Sequence, residues 1–266
     1  MNKYIFTLIL ISMISCNNDD APKSYSFEIP KVVFTDTVKL GKNLFVSENI
    51  ESNYAIFCGK YRIGESVTFD RHKIFYKDSI FIKNRVNLDY FDSFNEFSKF
   101  DTDSFKLKAD YSQDILFDWF VTEPYNSYYP VFIQNESSKT KLLIGKDDRI
   151  FAIQEAKDEK GIWRPIESRG TDFCGVGYWG LKIQAREFGV FLLSKYKGDF
   201  VTDIRARVKV GKNIYTSNSF IGNINRKQFL LKSLDAETKQ NSGDDINQFF
   251  FGSIPLQLDT IFDEEK

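Results

Sequence analysis

His72 is the only histidine in the chain, and beyond residue 16 the only cysteines are Cys58 and Cys174. A histidine-rich metal site is therefore excluded, and any catalytic triad would have to recruit this one imidazole. It stands in Asp70-Arg71-His72-Lys73, a polar turn, and no spacing brings it to Cys174 or to a serine. Cys174-Gly175-Val176-Gly177-Tyr178-Trp179-Gly180 is glycine-rich but lacks the Lys-Ser/Thr ending of a phosphate loop. Asp101-Thr102-Asp103 begins like a calcium loop, yet Phe105 occupies the place of the next oxygen ligand. No catalytic residue, metal ligand or cofactor is expected from these segments.

Two kinds of side chain offer binding instead. Tyr125, Tyr128 and Tyr129 lie in a proline-bounded stretch, and Tyr178-Trp179 follows the glycine-rich segment. Their ring faces suit the C–H face of a sugar, with packing into the core as the rival outcome. Arg205, Arg207, Lys209 and Lys212, preceded by Lys195 and Lys197, form a positive stripe. It would receive an anionic partner or simply be the wet face of a strand. A glycosidase needs two carboxylates, but among 37 acidic residues no spacing singles out a pair.

The elements that must position these residues read as strands. Aromatic residues make up 16% of the chain, with 27 Phe and 13 Tyr, a composition that suits pleated, half-buried surfaces. In the first half, short apolar runs at 25–29, 32–34, 43–46, 54–58, 66–69, 73–76 and 79–83 alternate with turn residues. The spacing of apolar residues over 88–100 fits a short helix or a structured loop. In the second half, strands are predicted at 131–134, 141–144, 149–154, 162–167, 180–184, 190–193, 201–210, 213–217 and 228–231. Turn signals every 8 to 12 residues or so are the signature of an antiparallel β-sandwich. Residues 203–210 alternate apolar and charged without a miss, and Gly211-Lys212 then turns the chain into 213–217, which predicts a hairpin. A second hairpin is predicted across 157–161, and Asp244 is placed to cap a short helix through Phe250.

The N-terminus carries an address. Met1-Asn2-Lys3 precedes an apolar run that ends at Cys16 and gives way to Asn17-Asn18-Asp19-Asp20. This is the order of a signal peptide, and the run is short of the roughly 20 residues that span a bilayer as a helix. Met13-Ile14-Ser15-Cys16 resembles a bacterial lipobox, which implies acylation of Cys16 and a membrane contact made of lipid. The acidic Asp19-Asp20 beyond it resembles the tethers of Bacteroidota lipoproteins, which implies the cell envelope, at the outer membrane or cell surface. Without Lys3, 35 basic residues face 37 acidic ones, so no basic excess attracts nucleic acid.

The expected organisation is a signal peptide at 1–15, a lipidated cysteine and tether at 16–24, and a β-rich region at 25–110. A β-sandwich domain at 111–258 and a polar tail at 259–266 complete it. The second half resembles an uncharacterised immunoglobulin-like module of Bacteroidota lipoproteins. The likeness is carried by Gly161-Ile162-Trp163-Arg164-Pro165-Ile166-Glu167, Phe173-Cys174-Gly175, Tyr196-Lys197-Gly198-Asp199-Phe200-Val201-Thr202 and Tyr215-Thr216-Ser217-Asn218-Ser219-Phe220. The expected function is a non-enzymatic binding or structural role toward a protein or surface component. Glycan binding is the alternative, and a carbohydrate-active enzyme a more distant one.

Cys58 and Cys174 sit in matching Phe-Cys-Gly triplets, and an exported chain meets an oxidising compartment. They are either bridged or both buried as thiols. A bridge would close a loop of more than 100 residues, worth about 4 to 5 kcal/mol in the chain-entropy model, and reduction would then lower the melting temperature. If they are separate buried thiols, reduction should change nothing, and a thiol reagent should label both only after denaturation. Rapid labelling of either one in the native, non-reduced protein would defeat both.

Overall fold

The computed structural model describes residues 27–34, 42–69, 85–87, 101–117, 125–169, 177–231 and 242–258. Outside these lie the signal peptide and tether with Cys16, His72, the segments 73–76, 79–83 and 88–100, Cys174 and the tail from 259. The described chain is mainly β. Its first strands are β1 (Val32–Phe34), β2 (Lys42–Asn43), β3 (Glu51–Asn53), β4 (Ala55–Arg62), β5 (Val67–Phe69), β6 (Arg85–Asn87) and β7 (Phe105–Ala109). There follow β8 (Ile115–Phe117), β9 (Tyr125–Asn135), β10 (Lys141–Lys146), β11 (Arg149–Ile150), β12 (Ala152–Lys157) and β13 (Trp163–Pro165). The last are β14 (Glu167–Arg169), β15 (Tyr178–Ile183), β16 (Glu187–Ser194), β17 (Phe200–Val210), β18 (Asn213–Thr216) and β19 (Phe220–Ile224). One α-helix is described, α1 (Ser242–Phe249).

Ten strands form the main sheet, in the order β2-β9-β16-β4-β11-β10-β15-β6 with β7 and β8 also paired to β9. Central β4 comes from the first half and is hydrogen-bonded along β16 from the second, so the sheet runs through residue 110, where the sequence reading divides the chain. A second sheet has the order β13-β12-β17-β18, with β19 also on β17. The stretch from Arg149 to Lys157 serves both. Arg149 and Ile150 pair with β4 in the main sheet, and from Ala152 onward the strand pairs with β17 in the second. Switching sheets at Phe151 joins the two layers covalently, in the manner of a barrel corner.

One core lies between the sheets. Phe57, Leu107, Tyr129, Val131, Leu143, Trp179, Leu181 and Phe191 from the main sheet pack with Ala206, Val208 and Val210 of β17. The opposite face of the main sheet is also covered, with Ile56, Phe132, Phe188, Val190 and Leu192 meeting Phe27, Val32 and Val67. All eight residues of β16 are therefore buried, which is why that strand is an almost continuous apolar run and not an alternating one. Between β4 and β16 the register shifts at Val190/Phe191, opposite Gly59 and Phe57, and Cys58 is the extra residue of that bulge.

Both predicted hairpins form, β12 with β13 and β17 with β18, and Gly161 and Gly211 take the left-handed conformation their turns require. Residues 228–231 do not form a strand. Arg226–Phe229 is a turn of 3-10 helix, closed at its start by Asn225, which accepts from Lys227 N while Gln228 reaches back to the Asn225 N–H. The helix α1 starts at Ser242, two residues before the expected cap.

The alternation of β17 is real, and its charged face is half-buried, with counter-charges against part of it. Arg205 and Arg207 approach Glu155 of the neighbouring strand at 2.7 and 3.4 Å, and Arg207 Nε donates to Phe251 O beyond α1. Arg205 also lies 4.1 Å from the Trp163 ring centre. Lys195 is buried and donates to Asp114 Oδ1 at 2.7 Å. Burial alone would raise Asp114, but hydrogen bonds from Lys195 and Lys42 hold it at about 2. Arg205, Arg207 and Lys195 of the positive stripe are thus engaged inside the molecule, while Lys197 and Lys212 are exposed.

Gly198 leads into β17, and a Cβ there would overlap the Ile224 carbonyl and the Asn225 nitrogen. Backbone cannot rotate aside as a side chain can. Gly198→Ala should therefore lower unfolding stability by more than about 2 kcal/mol in denaturant titrations.

Candidate functional site

The β3/β14 pair is parallel, with Glu51, Ser52 and Asn53 opposite Glu167, Ser168 and Arg169. That register carries Glu167 into the interior, where it is 1% exposed. Its Oε1 accepts from Gln154 Nε2 at 2.6 Å, Tyr196 OH at 2.6 Å and Asn53 Nδ2 at 2.7 Å. Its Oε2 accepts from Gln154 N at 2.9 Å. Behind these donors, Tyr129 OH donates to Gln154 Oε1, and Asn53 Nδ2 also reaches Ser194 Oγ. Burial raises the Glu167 carboxyl above its ordinary value, against the pull of these hydrogen bonds. Burial, followed by the Glu167 charge, pushes the Tyr129 and Tyr196 phenols well up.

On the other side of Asn53 is a small cleft lined by Asn53, Tyr54, Lys146, Arg149, Phe151 and Arg169. Lys146 and Arg149 face each other across the two-residue turn between β10 and β11. Arg169 is brought opposite Asn53 by β14. Each cation rests against a ring. The Arg149 guanidinium carbon is 3.8 Å from the Tyr54 ring centre, that of Arg169 is 4.7 Å from Phe151, and Lys146 Nζ is 5.3 Å from Tyr178. Lys209, which does not line the cleft, is pulled below its ordinary pKa by burial and then by the Arg169 charge. Arg149 Nε is buried, with the Asp148 carboxylate at 3.5 Å.

No protein-family model matches this chain, and no curated protein or solved structure matches it either.

The aromatic residues singled out from sequence take different places. Tyr128 is 4% exposed and packs against Phe45, while Tyr129 and Trp179 are wholly buried, with Trp179 Nε1 donating to Asp147 O at 2.9 Å. These three are core residues and present no ring to a ligand. Tyr178 is half-buried at the rim of the cationic group, and Tyr125 opens β9. Cys58 is half-buried at its bulge, its Sγ 3.6 Å from Ile56 O, and burial pushes its thiol far up. Cys16 and Cys174 lie outside the described residues. Asp101 and Asp103 both bind Lys141, at 2.5 Å in the case of Asp101, and the Lys141 hydrogen bond holds Asp103 at about 2. These acids are ion-pair partners. Among the described residues no three of His, Cys, Asp and Glu gather where a metal would sit.

Glu167→Ala would remove four hydrogen bonds and leave buried donors such as Gln154 N without an acceptor, and should cost at least about 3 kcal/mol. Glu167→Gln keeps the shape but sets an amide N–H against Gln154 N–H, for an expected loss of about 1–3 kcal/mol. The wild-type carboxyl has a raised folded-state pKa, so its contribution is full below the unfolded value and is lost as pH rises through the folded one. Unfolding free energies measured from pH 4 upward should carry that falling contribution in wild type and not in Glu167→Gln. Parallel pH profiles would remove Glu167 as the titrating group.

Proposed function

We propose that the chain is a lipid-anchored protein of the cell envelope, held through Cys16, with a non-enzymatic binding or structural role toward a protein or surface component. The observation that carries the role is the mutual engagement of its interior ionisable groups. Glu155 serves Arg205 and Arg207, Asp158 pairs with Arg164 at 3.0 Å, Lys195 pairs with Asp114, and Glu167 is enclosed by neutral donors. Groups so occupied hold strands in register, which makes a rigid scaffold for a surface that binds. The lipobox-like Met13-Ile14-Ser15-Cys16 and the polar stretch after it support the address.

We also infer that the two packed sheets are a variation on an immunoglobulin-like sandwich. The β12/β13 and β17/β18 hairpins and the buried core between the layers favour it. Such folds host unrelated functions, so the binding role rests on the site and not on the architecture. Glycan binding is the second reading, favoured by the rings and cations gathered around Tyr54 and Arg149.

Cys16→Ser should abolish acylation and move the protein from the membrane pellet to the soluble fraction. Membrane partitioning equal to that of the wild type would refute the lipid anchor.

A further inference from the structure

We propose that β19 is a docking edge for a second copy of this chain, the two β19 strands pairing antiparallel about Gly222 so that the second sheets of both copies run into one. This goes beyond the binding role proposed above and does not depend on the anchor. β19 ends its side of the second sheet, paired only with β17, from Phe200↔Ile224 to Ile204↔Phe220. Successive residues of a strand turn their N–H and C=O groups to opposite sides, so part of these groups face away from β17. Among the described residues, no backbone or side-chain group outside β17 hydrogen-bonds to Phe220–Ile224. An unpaired edge invites another strand, and sheets ordinarily blunt it with a proline, a charge or a bulge. The opposite edge of this sheet, β13, carries Pro165. β18 is tied to Thr102, to which Asn213 and Tyr215 donate at 2.9 and 2.6 Å, and the nearby β7 is closed at Ala109, whose N–H and carbonyl both bond the Asn218 amide. β19 itself, Phe220-Ile221-Gly222-Asn223-Ile224, has no charge and no proline.

The occupant follows from the symmetry of the segment. An antiparallel pair centred on Gly222 sets Ile221 of one copy opposite Asn223 of the other, and Phe220 opposite Ile224. The core-facing Phe220, Gly222 and Ile224 of both copies then share one face, and Ile221 and Asn223 the other. With this centre the outward N–H and C=O groups of the two strands meet in register, for about four to six hydrogen bonds. Beyond the strand ends, Ser219 comes opposite Asn225 and Asn218 opposite Arg226, so no two like charges are brought together. On the outer face Val201 and Ile221 are diagonal neighbours, 63% and 64% exposed, and the Ile221 side chains of the two copies meet diagonally across the twofold axis. Pairing of β19 with its own copy closes a dimer, whereas pairing of β19 with β13 would leave open ends and is opposed by Pro165.

The test is sedimentation equilibrium of the full chain in a large excess of neutral, density-matched micelles, at concentrations up to about 0.5 mM, which detects a contact as weak as a short edge pairing gives. Wild type should show a monomer–dimer equilibrium. Ile221→Lys, a change at an exposed position, should weaken it at least tenfold by placing a charge on the edge. Mixing Ile221→Lys chains with Asn223→Asp chains should restore association, because the two changes face each other in the register about Gly222. Val46→Lys, at a side chain 67% exposed and outside the second sheet, should leave the equilibrium unaltered. A monomer at every concentration, or an association that Val46→Lys weakens as much as Ile221→Lys does, overturns the proposal. Failure of the mixed variants to associate overturns the register, and the proposal with it. A capped alternating Thr-Val peptide serves as a foreign strand. If it binds more tightly than the chain binds itself, and Ile221→Lys abolishes that binding, the edge belongs to an extended segment of another protein; weaker binding, or none, supports the second copy.

Discussion

A carboxylate taken out of water with no cation beside it sets the strictest condition in this fold. Moving such a group inward costs several kcal/mol, and it is tolerable only if donors are fixed around it before the chain closes. Glu167 is supplied by Asn53 of β3, by the side chain and backbone of Gln154 in β12, and by Tyr196 beyond β16. Those donors belong to the first half of the chain, to the second sheet and to the end of a main-sheet strand. The three therefore lock at one point, and a slip of one residue in the β3/β14 pairing would leave Glu167 without Asn53. The same register places Arg169 opposite Asn53 and so builds one wall of the cleft.

What sequence reveals here follows the range of the interaction. The two hairpins were legible because a turn with Gly161 or Gly211 between alternating runs is a local signal. Gln228-Phe229-Leu230-Leu231 looks like a strand by residue type, yet an Asn225 cap three residues upstream sends it into a 3-10 turn. The proline-bounded stretch with Tyr128 and Tyr129 lies ahead of the predicted strand 131–134, yet it belongs to the eleven-residue β9, which runs through Pro130. The proline is tolerated for a geometric reason. Its carbonyl accepts from Asp110 N, so its ring faces the connection between β7 and β8, where β9 changes partners and no ladder hydrogen bond is missed.

Charge on a strand was the hardest feature to interpret. Alternation in β17 distinguishes two faces, but a face of Arg-x-Arg-x-Lys reads the same whether water or a counter-charge lies against it. Only the pairing with β12 brings Glu155 beside Arg205, and only the chain after α1 brings a carbonyl to Arg207. The reverse holds for the cleft. Lys146, Arg149 and Arg169 are scattered among hairpin turns and short strands, where single charged residues are ordinary, and nothing local distinguishes them. Their convergence depends on the sheet switch at Phe151 and on the parallel β3/β14 contact, both of which are long-range.

Asn53 connects the two kinds of polar site. It lines the cleft and donates inward to Glu167, so the buried negative charge lies within one side chain of the gathered cations. An open carboxylate at that distance would attract the cations and fill the cleft with its own salt bridges. Glu167 does not compete in this way, because its lone pairs are already taken by neutral donors and its negative charge is spread over four hydrogen bonds. Ring faces lie under the guanidinium groups, Tyr54 under Arg149 and Phe151 under Arg169. Neutral donors around the anion and aromatic faces under the guanidinium groups keep the opposite charges apart at short range, in a chain whose net charge is close to zero.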